Sequence, residues 1–324
     1  MKAIVRSRYG SPDVLEVREH AVPRIEDGVV LVRVRASSVN MGDVDYMRGR
    51  PWMARLGTGL RRPRNAILGL DVAGVVEAVG SAVTRFRPGD EVFTDMTEHG
   101  FGAFAEYVAV PEDALARKPA SMTFEEAATV PQSAILALQG LGGGRPITTG
   151  QKVLINGASG NVGPFAVQIA KAAGAEVTGV CRTAKMDMVR AIGADHVIDY
   201  TVEDFTRSGE SYDRILDVVG RRSILACRRA LRAGGTYVWI SGTMATLLQA
   251  LLLGPLISLT GSRKMGITWW WKPFKLDDVG YLTRLIDAGK LRSVIDRSYP
   301  LDEVPDAIRY LESGQARGKI VITV

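Results

Sequence analysis

Residues 31–36 alternate apolar and polar at period two, as a strand with one buried face does. Residues 71–79 form a longer apolar run closed by Gly80, and Pro88-Gly89-Asp90 is a turn leading into a strand at 91–93. Short strands broken by turn signals over residues 1 to 120 predict an irregular barrel or sandwich. After Ser121 the pattern changes. Residues 124–141 are Ala-rich and helical in spacing, and strands then alternate with helices. The predicted strands are 153–156, 176–181, 196–199, 214–219 and 237–240; the helices between them are 164–173, 184–192 and 223–231. Val162, Ala166, Ile169, Ala170 and Ala173 share one helical face, and Gly174 supplies the stop. Such alternation builds a parallel sheet covered on both faces. Helical patterns at 278–288 and 303–313 and a strand at 319–324 close the chain.

At 324 residues the chain fits two domains. Two cysteines, Cys181 and Cys227, and three histidines, His20, His99 and His196, exclude a disulfide framework and leave little for a His/Cys metal site. The net charge of +6 is scattered in small groups such as Arg61-Arg62-Pro63-Arg64 and Arg228-Arg229, which read as solvated surface. No basic stripe is interleaved with aromatics, so no nucleic-acid partner is expected. The N-terminus has no apolar core of a secretory signal. The apolar stretch 245–260 is shorter than the roughly 20 residues of a membrane span, and Gly254-Pro255 interrupts it. It predicts a buried or substrate-covering helix pair rather than membrane contact. A soluble, cytoplasmic protein is the expectation.

The segment VLINGASGNVGP, 153–164, carries the clearest chemistry. A strand runs into Gly157-Ala158-Ser159-Gly160-Asn161-Val162-Gly163, and a helix follows at once. The first glycine permits the tight turn, the second lets backbone approach a pyrophosphate, and the third lets helix and sheet pack closely. The phosphates would lie at the helix N-terminus. An NAD site usually places an acid after the second strand to bind the ribose. Here 177–184 contains none, and Arg182, Thr183 and Lys185 follow instead. A guanidinium and an ammonium suit a 2′-phosphate, which favours NADPH. Either cation taken singly also fits an ordinary solvated helix start.

GLDVAGVVEAVGSAVTRFRPGDEVF (69–93), the glycine loop, GADHVIDY (193–200) and ARGKIVITV (316–324) together resemble the medium-chain dehydrogenase/reductase superfamily over essentially the whole chain. The resemblance implies an α/β protein: a GroES-like β-rich catalytic domain split around a Rossmann doubly wound parallel-sheet domain. The expected boundaries are 1–122 and 273–324 for the former and 123–272 for the latter. Zinc-dependent members carry a His at the position of Leu70, a Cys at the position of Asn40, and a four-Cys loop where 92–111 has no Cys. Leu cannot bind zinc and Asn is a poor ligand, so no metal site is expected. The chain is thus similar to the zinc-independent quinone oxidoreductase branch, which has an Asn followed by an Asp three residues on, like Asn40 and Asp43.

That branch implies further positions. Lys185 and Tyr200 match residues near the NADPH 2′-phosphate. Val219, in Asp217-Val218-Val219-Gly220, lies at the strand end beside the nicotinamide ribose, and Ser241 and Gly242 follow the next strand as cofactor contacts. Lys319 resembles a basic residue reaching toward the cofactor. Leu136 stands where many members have a Thr near the nicotinamide. Asn40 is the expected amide donor to the substrate oxygen or nicotinamide region. Tyr46 is the expected second donor, although a core aromatic fits its position equally well.

Without a metal, the acceptor must take hydride unaided by a strong Lewis acid; quinones and conjugated enones do so. NADPH-dependent reduction of such a small-molecule acceptor is therefore the expected activity. An alcohol or carbonyl dehydrogenase, and an NADPH-binding sensor, structural or RNA-binding protein with little turnover, are the alternatives. A homodimer is expected, joined through a strand-like run at 265–271 that includes Trp269-Trp270-Trp271; those tryptophans suit packing or an interface better than substrate contact.

Overall fold

The computed structural model describes residues 1–142, 146–267 and 272–324; the run Trp269-Trp270-Trp271 lies outside them. Its strands, in chain order, are β1 (Lys2–Val5), β2 (Glu16–Glu19), β3 (Val29–Val39), β4 (Asp71–Val79), β5 (Glu91–Asp95), β6 (Tyr107–Pro111), β7 (Ala116–Arg117), β8 (Lys152–Asn156), β9 (Glu176–Cys181), β10 (His196–Asp199), β11 (Tyr212–Asp217), β12 (Leu231–Trp239), β13 (Lys264–Ile267), β14 (Ile295–Pro300) and β15 (Lys319–Thr323). The helices are α1 (Met41–Arg48), α2 (Arg55–Thr58), α3 (Phe124–Ala127), α4 (Pro131–Gly142), α5 (Gly163–Ala172), α6 (Met186–Ala191), α7 (Ile224–Arg229), α8 (Met244–Thr260), α9 (Leu276–Asp287) and α10 (Val304–Glu312).

Two compact units form: Met1–Gln132 with Pro273–Thr283 and Ser293–Val324, and Ser133–Lys272 with Arg284–Arg292. The change of unit falls inside α4 rather than at 122/123, and Arg284–Arg292 joins the second unit.

The first unit is the GroES-like one. Its main sheet runs β14-β15-β3-β4-β5-β7, with β6 also paired to β3, and a β1-β2 ribbon stands beside it. The last strand of the chain, β15, lies antiparallel to β3, with Ile320 opposite Val39. That pairing buries Ile320, Val39, Val44 and Met47 in one core. It also brings Lys319 to the start of α1, a juxtaposition no local pattern contains.

The second unit is a Rossmann-like, wholly parallel sheet in the order β10-β9-β8-β11-β12-β13. β8 is nearly all apolar and buried because helices cover both faces of such a sheet. The strand order reverses between β8 and β11, and ligands of open α/β sheets bind outside the carboxyl ends of the strands at such a point.

Two expected elements differ. The helical pattern at 124–141 is two helices, α3 and α4, because Pro131 disfavours helix in the residue before it and opens the second. The stretch 245–260 is not a helix pair but one 17-residue helix, α8, which continues through Pro255. Gly254 allows that continuity to lie close on the sheet, since a Cβ there would stand 2.7 Å from the Met265 carbonyl oxygen. No helix among the described residues is long and apolar enough to cross a membrane.

Candidate functional site

In the second unit β8 and β11 end side by side, with Asp217 opposite Asn156. The Asn156 side-chain amide donates to Asp217 Oδ1 at 2.8 Å, and the Tyr237 hydroxyl donates to Oδ2 at 2.9 Å. The Gly220 N–H adds a bond of 2.7 Å to Oδ1. Burial pushes the Asp217 carboxyl up, while these bonds favour its charged form. The carboxylate thereby fixes the 217–220 turn beside the glycine loop. The sequence places Asp217 at the strand end beside the cofactor without revealing its bonds, and it leaves Asn156 and Tyr237 unmarked; a polar residue closing an apolar strand is the available signal.

The loop has the shape a pyrophosphate requires. Gly157 has φ +89°, and a Cβ there would meet Val219 Cγ2 at 2.5 Å. At Gly163 a Cβ would lie 2.2 Å from the Gly157 carbonyl oxygen, a backbone atom with little freedom to move. Gly160 is different: among the described residues beyond its chain neighbours, only the Gly157 oxygen comes within 4 Å of its Cβ position, at 3.6 Å, which leaves room for a ligand. Ala158, Ser159 and Val162 are buried, and Asn161 is half-buried. Gly242 packs on Gly220, where a Cβ would stand 2.5 Å from the Gly220 oxygen, and Gly220 in turn lies against Ser241. Gly157, Gly163, Val219, Ser241 and Gly242 thus frame one strand-end surface that fits a dinucleotide.

At the end of β9, Arg182 Nε donates to the Tyr200 hydroxyl at 3.2 Å. Thr183 and Lys185 form the turn that follows. The four residues expected around a 2′-phosphate therefore share one exposed corner. Asp199 stands there too, because the β9–β10 register sets it opposite Cys181. Hydroxyls of Thr183 and Thr201 donate to its carboxylate and hold it below the usual range. The absence of an acid in 177–184 therefore does not keep carboxylates out of this corner. Asp199 arrives from the neighbouring strand, with its oxygens already engaged.

The first unit contains a buried polar cluster drawn from α1 and four strands. Asp71 Oδ2 accepts from the Ser38 hydroxyl at 2.6 Å, the Asn40 amide at 2.9 Å and the Lys319 ammonium at 3.3 Å. Its Oδ1 accepts from the Gln132 N–H at 2.9 Å. Asn40 Oδ1 accepts from Lys319 at 2.6 Å, while Asp43 Oδ2 accepts from the Asn40 N–H at 2.8 Å. Asp95 Oδ1 accepts from the N–H and the hydroxyl of Thr97. Asn40, Asp43, Asp71, Asp95 and Lys319 are each at most 1% exposed.

Three carboxyls meet the Lys319 ammonium here, and the buried Arg6 guanidinium also acts on Asp43, which still leaves a surplus of acid. Burial, with a smaller contribution from neighbouring Asp71, pushes Asp43 up to about 8 and Asp95 up to about 7. Burial also lowers Lys319, against the pull of Asp71.

Two expectations change here. The Asn40 amide was expected to face a substrate or the nicotinamide; its hydrogens go instead to Asp71 and to the Ser38 carbonyl at 3.4 Å. Lys319, expected to reach toward the cofactor, turns inward, because a fully buried ammonium needs Asn40 and Asp71 to offset its lost hydration. Tyr46 is half-buried on α1, its ring 4.5 Å from that of Phe101. Burial, then Asp95 and Asp43, raise its phenol, so it remains an O–H donor at neutral pH. Leu70 lies fully buried in the apolar core, and Leu136, on α4, is half-buried.

Comparison with known proteins covers the whole chain. Residues 26–120 match the alcohol dehydrogenase GroES-like domain, and residues 192–322 match a family described as zinc-binding dehydrogenase. The mitochondrial NAD(P)H oxidoreductase RTN4IP1 of Mus musculus is 35% identical, over 100% of this chain and 89% of that protein. The chloroplastic NADPH-dependent alkenal/one oxidoreductase of Arabidopsis thaliana is 32% identical, over 99% and 79%. The structure of the quinone oxidoreductase from Coxiella burnetii superposes with a TM-score of 0.89 at 29% identity, covering 100% and 99%. The organelles named for the first two give no support to the cytoplasmic expectation.

Proposed function

Because the chain belongs to the medium-chain dehydrogenase/reductase superfamily, in its quinone oxidoreductase-like branch, we propose that it reduces a quinone or a conjugated enone at the expense of NADPH. The observation that carries the reading is the glycine cradle at the β8–β11 switch point, closed to side chains at Gly157 and Gly163 and open at Gly160. When bound there, NADPH supplies the hydride. The backbone N–H groups at the start of α5 face the pyrophosphate, and Arg182, Lys185 and Tyr200 read the 2′-phosphate.

The acceptor class follows from residue types. Leu70 offers no metal ligand and the Asn40 carbonyl oxygen is already bonded to Lys319, so we read the reaction as zinc-independent. Quinones and enones spread the arriving charge into an oxyanion or enolate, and the relatives named for alkenals and quinones support this class. We assign Tyr46 to the acceptor oxygen as hydrogen-bond donor. Asn40 is a positioning residue: it ties the start of α1, and hence Tyr46, to Asp71 and Lys319.

We also propose a homodimer paired through β13, which lies at one edge of its sheet among the described residues. The test of function is NADPH consumption by the purified full chain against a panel of quinones, enones, alcohols and simple ketones. Turnover with quinones or enones is expected. Turnover confined to alcohols and simple ketones would overturn the reading.

A further inference from the structure

α8 is apolar all round, but only one side of it is covered. Thr246, Ala250, Gly254 and Ile257 are its buried residues, and α8 lies on β13 along Gly254. The opposite stripe, Met244, Leu248, Leu252, Leu256 and Leu259, is 49–83% exposed. These positions recur every three or four residues, so they form one continuous ridge pointing away from the sheet. Contiguous exposed apolar surface of this kind on a folded unit marks a docking face.

Its border is cationic. Ile224 at the start of α7 donates its N–H to Gln249 on α8, which sets Leu225, Arg228 and Arg229 beside the ridge. Leu225, Arg228, Arg229 and Arg263 line a shallow groove of about 340 Å³, and Lys264 bonds the Ser258 carbonyl oxygen of α8. No Asp or Glu occurs between Asp217 and Asp277, a stretch holding nine Lys or Arg. Arg222, Arg232 and Lys275 pair with Asp204, Asp213 and Asp277, but the strands and helices around the ridge bring no acid of their own to offset Arg228, Arg229, Arg263 or Lys264.

We propose that this face docks the protein on an anionic lipid surface, with the α8 ridge inserted among the acyl chains and Arg228, Arg229 and Lys264 at the headgroups. Charge complementarity selects this occupant over a second copy. A two-fold pair would bring the same cationic border against itself. Pairing of β13 edges extends the sheet in its own plane, whereas the ridge faces away from the sheet, so the two interactions use different surfaces. Interfacial helices bind by buried apolar area plus attraction to anionic lipid, and both features are present here.

The test is flotation of the full-length protein with vesicles of phosphatidylcholine, alone or with phosphatidylglycerol. Binding at least tenfold stronger to the anionic vesicles is expected. Leu252→Glu with Leu256→Glu should lower it at least tenfold. At roughly fivefold per basic residue, Arg228→Ala with Arg229→Ala should lower it roughly twenty-fivefold. All four substitutions are at exposed positions, and unchanged circular dichroism and melting will confirm folding. Equal binding to both vesicle types, or undiminished binding by the leucine variant, overturns the proposal. A wild type that ignores vesicles, with a dimer that the leucine variant dissociates, overturns it in favour of a second copy.

Discussion

Lys319 Nζ donates to Asn40 Oδ1 at 2.6 Å across 279 residues of sequence. The bond ties the last strand to the residue that opens α1, inside a cluster where Asp71 is the shared acceptor. The last strand of the chain therefore closes on the buried Lys319–Asp71 pair beside the start of α1.

Lys319→Met should destabilise the protein by about 3–5 kcal/mol, because it leaves Asp71 buried without its cation. Urea unfolding measures this, and adding Asp71→Asn should restore part of the loss. A loss under about 1 kcal/mol would contradict a buried charged pair.

Stability should fall as pH rises. Asp43 and Asp95 hold protons in the folded state up to about 8 and about 7, whereas an unfolded aspartate releases its proton near 3.9. Between those limits unfolding releases protons, so raising the pH favours the unfolded state. The urea midpoint is expected to decline from pH 5 to 8, and Asp43→Asn should flatten the decline. A midpoint that rises over that range contradicts the assignment.

Cofactor choice should depend on the β9 corner. Arg182→Ala or Lys185→Ala is expected to raise the Kd for NADPH about tenfold or more, as for hydrogen bonds to charged groups. The Kd for NADH should change little. Fluorescence titration with both nucleotides makes the comparison, and equal losses would show that neither cation reads the phosphate.

The glycines should separate by role. Gly163→Ala places a methyl group 2.2 Å from backbone and should lower the melting temperature. Gly160→Ala has room in the protein, so it should melt like wild type yet bind NADPH at least tenfold more weakly. Undiminished NADPH binding by that variant would move the pyrophosphate elsewhere.

Zinc should be dispensable. Untagged protein is expected to contain far less than one zinc per chain and to keep its turnover in a chelator, given Leu70 and the engaged Asn40. Elemental analysis with an activity assay decides, and zinc-dependent turnover would refute it.

Local pattern was enough for the second unit. The apolar run 153–155, the three glycines and the strand–helix alternation each depend on neighbours within a few residues, so the parallel sheet and its phosphate loop were legible. Strand pairing decided the rest. Asp199 enters the Arg182 corner only because β10 lies beside β9 in a register that sets it opposite Cys181. Lys319 and Asn40 meet only because β15 folds back along β3. The burial of Asp43, Asp71 and Asp95 follows from that closure, and with it the protons that Asp43 and Asp95 retain. The exposure of α8 had the same origin: its composition states only that it is apolar, and the packing of Gly254 on β13 determines which side meets solvent. Periodicity is set by bonds along the chain, whereas charge environment and exposure depend on which distant segments exclude water from each side chain.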